Sequence, residues 1–281
     1  MPGIVRDILN WNAQEERGIH GRILRAIRSY LRWNRQLRLD PWMRYYPAVS
    51  TVQGHLGHRA ALVLDVGSGP QGLARFLRRT IVGIDVGFAD DAVLSPESFL
   101  LPVRASATDL PFRDRSFDAV VSMDMLEHIP RSDRSRVVSE LLRVGRSLVV
   151  LGFPFGKASQ DFDETALQEE KFRGLALDWR TEHVGYRLPD PSTHGEIVAT
   201  VKRERPDLTL SWFSQEGLRG LKLRWKLQML VPRDSRIYGL LFVPLYWLHA
   251  RGTPRHAYRR VYVAQANGVQ PVSTQRYPRS A

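Results

Sequence analysis

Asp65-Val-Gly67-Ser68-Gly69-Pro-Gln-Gly72 puts a carboxylate two residues ahead of a glycine-rich turn. Gly67, Gly69 and Gly72 let a backbone turn tightly and approach a ligand more closely than residues with a Cβ could. A helix from Gln71 would present unpaired amides, and their dipole, to whatever sits over that turn. Asp85 follows Asp65 by 20 residues, the spacing at which an acidic residue reaches the two hydroxyls of a ribose. A carboxylate suits that task because it offers two acceptor oxygens. The alternative for Asp85 is a helix cap or a solvated strand end. These residues predict a site for a nucleoside-containing cofactor. Gly67-x-Gly69-x-x-Gly72 also matches the dinucleotide fingerprint, which leaves a nicotinamide cofactor open at this point.

A second group could move protons. His128 and His183 are able to take a proton from an alcohol near neutral pH, with Glu182, Asp161 or Asp124 as carboxylates to orient them. The alternative for Glu127 and His128 is a pair holding a loop at a helix start, and a lone histidine is commonly structural. Asp124, Glu127, Asp161 and Asp163 are oxygen ligands suited to magnesium, yet nothing in their spacing demands an ion. No metal is assigned. The chain has no cysteine, which excludes disulfides and thiolate metal sites.

These residues need elements to hold them. Apolar runs place strands near Leu62–Val66, Ile81–Asp85, Val103–Ala107, Ala119–Met123 and Ser147–Phe153, with helices near Gln71–Arg79 and Ser132–Gly145. Such alternation implies right-handed crossovers and a parallel sheet, with ligand over the carboxyl ends of the strands.

Four linked blocks appear in order: the glycine turn, Ile81–Asp85, Ala105-Ser-Ala-Thr-Asp109-Leu-Pro-Phe112, and Ser116-Phe-Asp-Ala-Val-Val-Ser-Met-Asp124-Met-Leu-Glu-His-Ile-Pro130. From about Ala61 to Phe155 the chain resembles class I S-adenosylmethionine-dependent methyltransferases, especially the small-molecule methylators. That family writes its turn D-x-G-x-G-x-G, whereas the third glycine here falls one place late, at Gly72. The resemblance implies an α/β, Rossmann-like seven-stranded sheet, mostly parallel with a late antiparallel hairpin, under an N-terminal helical cap. The hairpin strands fall near Leu208–Phe213 and Arg259–Ala266. It also implies S-adenosyl-L-methionine as cofactor. Asp65 and the backbone at Gly67 and Gly69 would hold its methionine end, and Asp85 the ribose. Asp109 would accept from the adenine amino group with Leu110 beside the ring, and Ser122 to Asp124, Met123 included, would wall the methionine end. Ser68 and Val86 join the same binding set.

The segment 156–207 is expected to choose the acceptor, because loops after a strand's carboxyl end carry the variable chemistry of such folds. Glu182-His183 ahead of Leu188-Pro-Asp is loosely similar to methyltransferases found alongside glycan-building enzymes. The resemblance is almost silent on the acceptor; the expected reaction is O-methylation of a hydroxylated small molecule or a sugar or glycan precursor, with His183, His128 and Glu182 as the catalytic candidates because an alcohol must lose its proton. A lipid or quinone acceptor, or a protein that binds the cofactor without catalysis, are the alternatives.

Charge separates the ends from the middle. Residues 1–50 carry a net +5, residues 51–200 −4 and residues 201–281 +11. The basic ends fit phosphate contact, but no recognition module with its aromatic signature appears, which argues against nucleic acid. Gly21–Arg38 reads as an amphipathic basic helix, and Ile237–Leu248 as an apolar run too short to span a bilayer. Both allow peripheral contact with an anionic inner-membrane surface as the minority reading. No secretion signal is evident at the start, so the expected location is cytoplasmic. The expected organisation is a single catalytic domain: a basic helical cap (1–55), the cofactor half (56–155), the acceptor-side insertion (156–207) and a C-terminal hairpin with a basic, aromatic segment (208–281). Oligomeric state is left open.

Overall fold

The computed structural model describes residues 39–57, 59–70, 72–77, 79–88, 99–174, 178–229 and 256–266. Seven strands form one sheet: β1 (Val63–Val66), β2 (Ile81–Asp85), β3 (Leu100–Arg104), β4 (Phe117–Met123), β5 (Gly145–Pro154), β6 (Leu208–Gly217) and β7 (Ala257–Ala266). Their order is β3-β2-β1-β4-β5-β7-β6. β1 to β5 run parallel, and β7 lies antiparallel between β5 and β6. The chain leaves β1 toward β2 and β3, then returns to the other side of β1 with β4. A crevice opens at that reversal, beyond the carboxyl ends of β1 and β4. β1 and β4 are covered on both faces, which is why they read as nearly unbroken apolar runs.

Helices supply the covers. In α1 (Leu39–Leu56), Tyr45, Val49, Val52 and Leu56 recur every three or four residues and pack with Leu73, Leu77, Met123 and Val263. On the opposite face, α2 (Arg131–Val144) and α5 (Pro191–Glu204) bring Val137, Leu141, Ile197 and Val201 against Val120 and Leu151. α5 starts where Asp190 accepts from the amides of Ser192 and Thr193, with Pro191 as the first helical residue. α3 (Lys157–Phe172) and α4 (Asp178–Tyr186) fill the segment after β5, and α6 (Leu218–Gln228) follows β6.

The parallel strands, the hairpin and the helix expected over Ser132–Gly145 are present. Two expectations are corrected. The third strand runs Leu100–Arg104 rather than Val103–Ala107: Leu100 already pairs with Ile81, and beyond Arg104 Ser106 accepts from the Thr108 amide and turns the chain away from the sheet. The helix expected over Gln71–Arg79 is a single 3₁₀ turn, Gly72–Arg75. Gly72 takes a left-handed φ of 44°, outside the right-handed helical region, so the expected helix cannot run through it. Among the described residues no helix is long and apolar enough to cross a membrane. The expected basic helix at Gly21–Arg38 and the apolar run Ile237–Leu248 lie outside the described residues.

Candidate active site

β1 delivers Asp65 into the crevice, fully buried. Its Oδ2 accepts from the Leu73 amide at 2.7 Å and the carboxylate also bonds the Tyr45 hydroxyl. Its Oδ1 has no partner. Burial pushes the Asp65 carboxyl up to about 7, against the lowering effect of the Leu73 and Tyr45 bonds. The turn that follows is tied to β2, since the amides of Gly67 and Ser68 both donate to the Ile84 carbonyl. Gly67 (φ 77°) and Gly72 make room for the protein's own groups: a Cβ would strike the Met125 side chain at the first and the Asp65 carboxylate at the second. At Gly69 a Cβ would meet nothing within 4 Å. That is the position where a ligand finds space.

Asp85 ends β2 beside this turn. Its two oxygens accept from Gly69 N (2.9 Å) and Gly87 N (3.2 Å), and each keeps a lone pair for a further hydroxyl. Asp109 is exposed on the turn after β3, while Leu110 is buried. Arg143 braces that turn by bonding the carbonyls of Leu110 and Phe112 and the Glu140 carboxylate, which in turn accepts from Leu110 N. Ser68 donates to the Gly69 carbonyl, and Val86 is exposed. The Met123 side chain is buried in the core with α1, so only its backbone is left to wall the crevice. The unpartnered Asp65 oxygen, the open face of Gly69 and the spare lone pairs of Asp85 fit an adenosyl cofactor with a charged amino-acid end.

Next to this crevice lies a cavity of about 350 Å³, bordered by Arg44, Asp124, His128, Trp179, His183, Trp225 and Arg259 among others. Asp124 lines it just after β4, with a left-handed φ of 51°. Arg259 grips it with two bonds of 2.7 and 2.6 Å, and Arg44 adds a contact at 3.0 Å. Burial opposes ionisation of Asp124, but the two guanidinium groups outweigh it and hold the carboxyl below its usual range. Arg259 also pairs with Glu216, which pairs with Arg224, so β4, β7, β6 and α6 share one charge network.

Deeper in the cavity one expected orienter is in place: Glu182 bonds His128 Nδ1 at 2.6 Å. His183 Nδ1 instead faces Asp163 at 2.9 Å. Asp163 is fully buried and also accepts from Arg180 (2.8 Å) and the Tyr258 hydroxyl (2.8 Å). Burial and the Asp163 charge raise the Tyr258 pKa well above its normal value, so its hydroxyl remains a donor. Asp161, a third candidate orienter, pairs with Lys157 on the exposed side of α3. Burial, then the Asp124 charge, raises the carboxyl of wholly buried Glu127 far above its usual range. Burial, then His183, lowers the His128 pKa.

Sequence reasoning did not find Arg44, Arg180, Tyr258 or Arg259 as site residues. One signal was available for Arg259. It lies in register with Val261 and Val263 on an alternating strand, and a charge on the apolar face of a strand is seldom idle.

Residues 64–151 match the family model described as a methyltransferase domain. An uncharacterized methyltransferase of Mycobacterium sp. (strain KMS) is 36% identical over 134 residues, covering 44% of this chain and 51% of that protein. The match thus spans about half the length of the relative. Among solved structures, the plantazolicin methyltransferase BpumL in complex with S-adenosylhomocysteine superposes with a TM-score of 0.52 at 13% identity, covering 87% of this chain and 90% of that one. Phosphoethanolamine N-methyltransferase 2 of Haemonchus contortus, in complex with S-adenosylmethionine, gives a TM-score of 0.50 at 16% identity, covering 79% and 52%. At these identities the structures establish the shared fold. The dehydrogenase alternative fails on topology, since the 3-2-1-4-5-6 sheet of dinucleotide-binding domains has no antiparallel strand inserted beside its fifth.

Proposed function

From the premise that this chain carries a class I methyltransferase domain, we propose that it transfers a methyl group from S-adenosylmethionine to a hydroxyl of a small molecule or of a sugar or glycan precursor. The observation that supports this reading best is the cavity beside the crevice, where a histidine held by a carboxylate faces the end of β4. Its volume suits a small acceptor rather than a macromolecule.

The cofactor supplies an electrophilic methyl group on a sulfonium sulfur. Asp85 holds the ribose, Asp109 the adenine amino group, and Asp65 with the Gly67–Gly69 backbone the amino-acid end. Ser68 and the backbone at Val86, Leu110 and Met123 complete the lining. Asp124 is fixed by Arg259 and Arg44 and walls the junction between crevice and cavity. Methyl transfer is an in-line displacement, so holding both reactants in line supplies much of the acceleration. An alcohol must also lose its proton. Asp163 accepts from His183 Nδ1 and thereby fixes the tautomer whose Nε2 is free to take that proton. Glu182 sets His128 in the same way from the other side. Trp179 packs edge-on to His183, with ring centroids 4.9 Å apart.

The test is a calorimetric titration with S-adenosylmethionine, S-adenosylhomocysteine and NADH on wild type and Asp85→Ala, followed by methyl-label transfer to a panel of polyols and sugars. Adenosyl binding that is lost in Asp85→Ala, with label appearing as an ether, is the expected result. His183→Ala should lower turnover at unchanged cofactor affinity. Failure of wild type to bind either adenosyl compound rejects the reading.

A further inference from the structure

Glu127, on the turn Leu126–His128 after β4, is wholly buried, and neither of its oxygens has a hydrogen-bond partner. A buried polar group left unmatched carries its full desolvation penalty, the more so when it is charged. Two imidazoles face it. His183 Nε2 stands 3.7 Å from Glu127 Oε1, and the ligating atoms of Glu127, His128 and His183 all lie within 4.8 Å of one another. Two atoms each about 2.1 Å from one ion are at most about 4.2 Å apart. The Glu127–His183 pair already meets that limit, and no pair of the three exceeds it by more than about 0.6 Å.

A second observation stands behind the histidines. His183 Nδ1 is bonded to Asp163 and His128 Nδ1 to Glu182. A carboxylate on one ring nitrogen places the N–H there and leaves the other nitrogen's lone pair for an ion, the arrangement that commonly backs metal-bound histidines. Here it occurs twice, on carboxylates from two different helices. The geometry points to a divalent transition-metal site with Glu127, His128 and His183 as ligands and open positions toward the cavity.

The donor set selects the ion. Two imidazoles with one carboxylate suit zinc, cobalt, manganese or iron, whereas magnesium prefers oxygen donors. The oxygen-only set suggested by sequence does not assemble: Asp161 is paired with Lys157, Asp163 with Arg180, and Asp124 with Arg259. Only the role of the ion rests on the methyltransferase reading. There a bound ion would make an acceptor hydroxyl a stronger acid, the proton passing to cavity water; His183 Nε2 is then a ligand, and its role as base belongs to the ion-free protein.

The test uses tag-free protein stripped with a chelator and titrated with Co(II) and Zn(II). The expected result is one ion per chain, a visible Co(II) absorption band, and at least a tenfold loss of affinity in Glu127→Gln and His128→Asn. Glu182→Gln should lose about tenfold or more through its partner His128. Melting temperatures establish folding, and half-exposed Glu182 keeps the site testable should Glu127→Gln fail to fold. No saturable binding by folded wild type, or affinity unchanged in the folded variants, overturns the site. S-adenosylmethionine titrations on the same samples separate the two readings. Cofactor binding without ion binding rejects the metal alone; ion binding without cofactor binding rejects the methyltransferase reading and leaves the metal.

Discussion

The crevice and the cavity meet at Asp124 but are constructed by different means. The crevice is made from the ends of consecutive strands and the turns that follow them, and its polar groups are largely backbone amides answered by Asp65 and Asp85. The cavity is made from side chains on α1, α3, α4, α6, β7 and the turn that follows β4, and many of its polar groups are ionised pairs. A site that offers backbone depends on local turn geometry and tolerates change elsewhere. A site assembled from buried charges depends on every partner at once, because each ion left unpaired carries its full desolvation penalty.

The largest effect expected from that difference is at Asp163. Asp163→Ala leaves Arg180 with Glu170 alone and takes the carboxylate from the Tyr258 hydroxyl and His183 Nδ1 together, and loss of one partner of a buried ion pair costs about 3–5 kcal/mol. Thermal unfolding should show a drop of many degrees; a shift as small as that of a surface mutation would mean the network holds nothing together.

The crevice should reveal itself next, through pH. The Asp65 carboxyl is raised from 3.8 to about 7, so the folded state keeps a proton that the unfolded chain has released. Its stabilisation is complete below the unfolded value and is lost as pH rises toward 7, by an amount on the order of a few kcal/mol. Melting temperatures of wild type should therefore fall between pH 4 and 7 relative to Asp65→Asn, which has no such proton to lose. Parallel curves would show that Asp65 does not titrate in this range. Ionised Asp65 also suits a cationic cofactor end, which predicts tighter cofactor binding above pH 7 than at pH 5.

Asp85→Ala sharpens the comparison from the other direction. It should weaken S-adenosylmethionine by about tenfold or more, in line with about 1.5–3 kcal/mol for bonds to a charged group, while the melting temperature stays near wild type. A large loss of stability instead would mean that its bonds to Gly69 and Gly87 matter more to the fold than to a ligand. The smallest effect belongs to Lys157→Ala, which removes an exposed pair with Asp161. Neither the melting temperature nor turnover should move, since exposed pairs contribute little.

Legibility in the sequence follows the same division. Asp65, Gly67, Gly69 and Asp85 were readable because a strand, a turn and the next strand are continuous in the chain, and their spacing is set by backbone geometry. His128, Glu182 and His183 were recognised as residue types, but their pairing was not. Glu182 is adjacent to His183 in sequence, yet successive residues on a helix diverge by about 100°, so Glu182 turns to His128 and His183 to Asp163 on α3. The expected helix at Gln71 failed because Gly72 takes a left-handed φ of 44° where that helix would run.

By itself the sequence determined the strand–turn–strand frame of the crevice, its order along the chain and its carboxylates, since these rest on apolar periodicity and on turns that glycine alone accommodates. Only the tertiary structure decided which charges are partners, that Arg259 reaches Asp124 across 135 residues, and that Glu127 is buried unmatched between two histidines. Those outcomes depend on which side chains share a low-dielectric interior, and proximity in that interior is not recorded in sequence spacing.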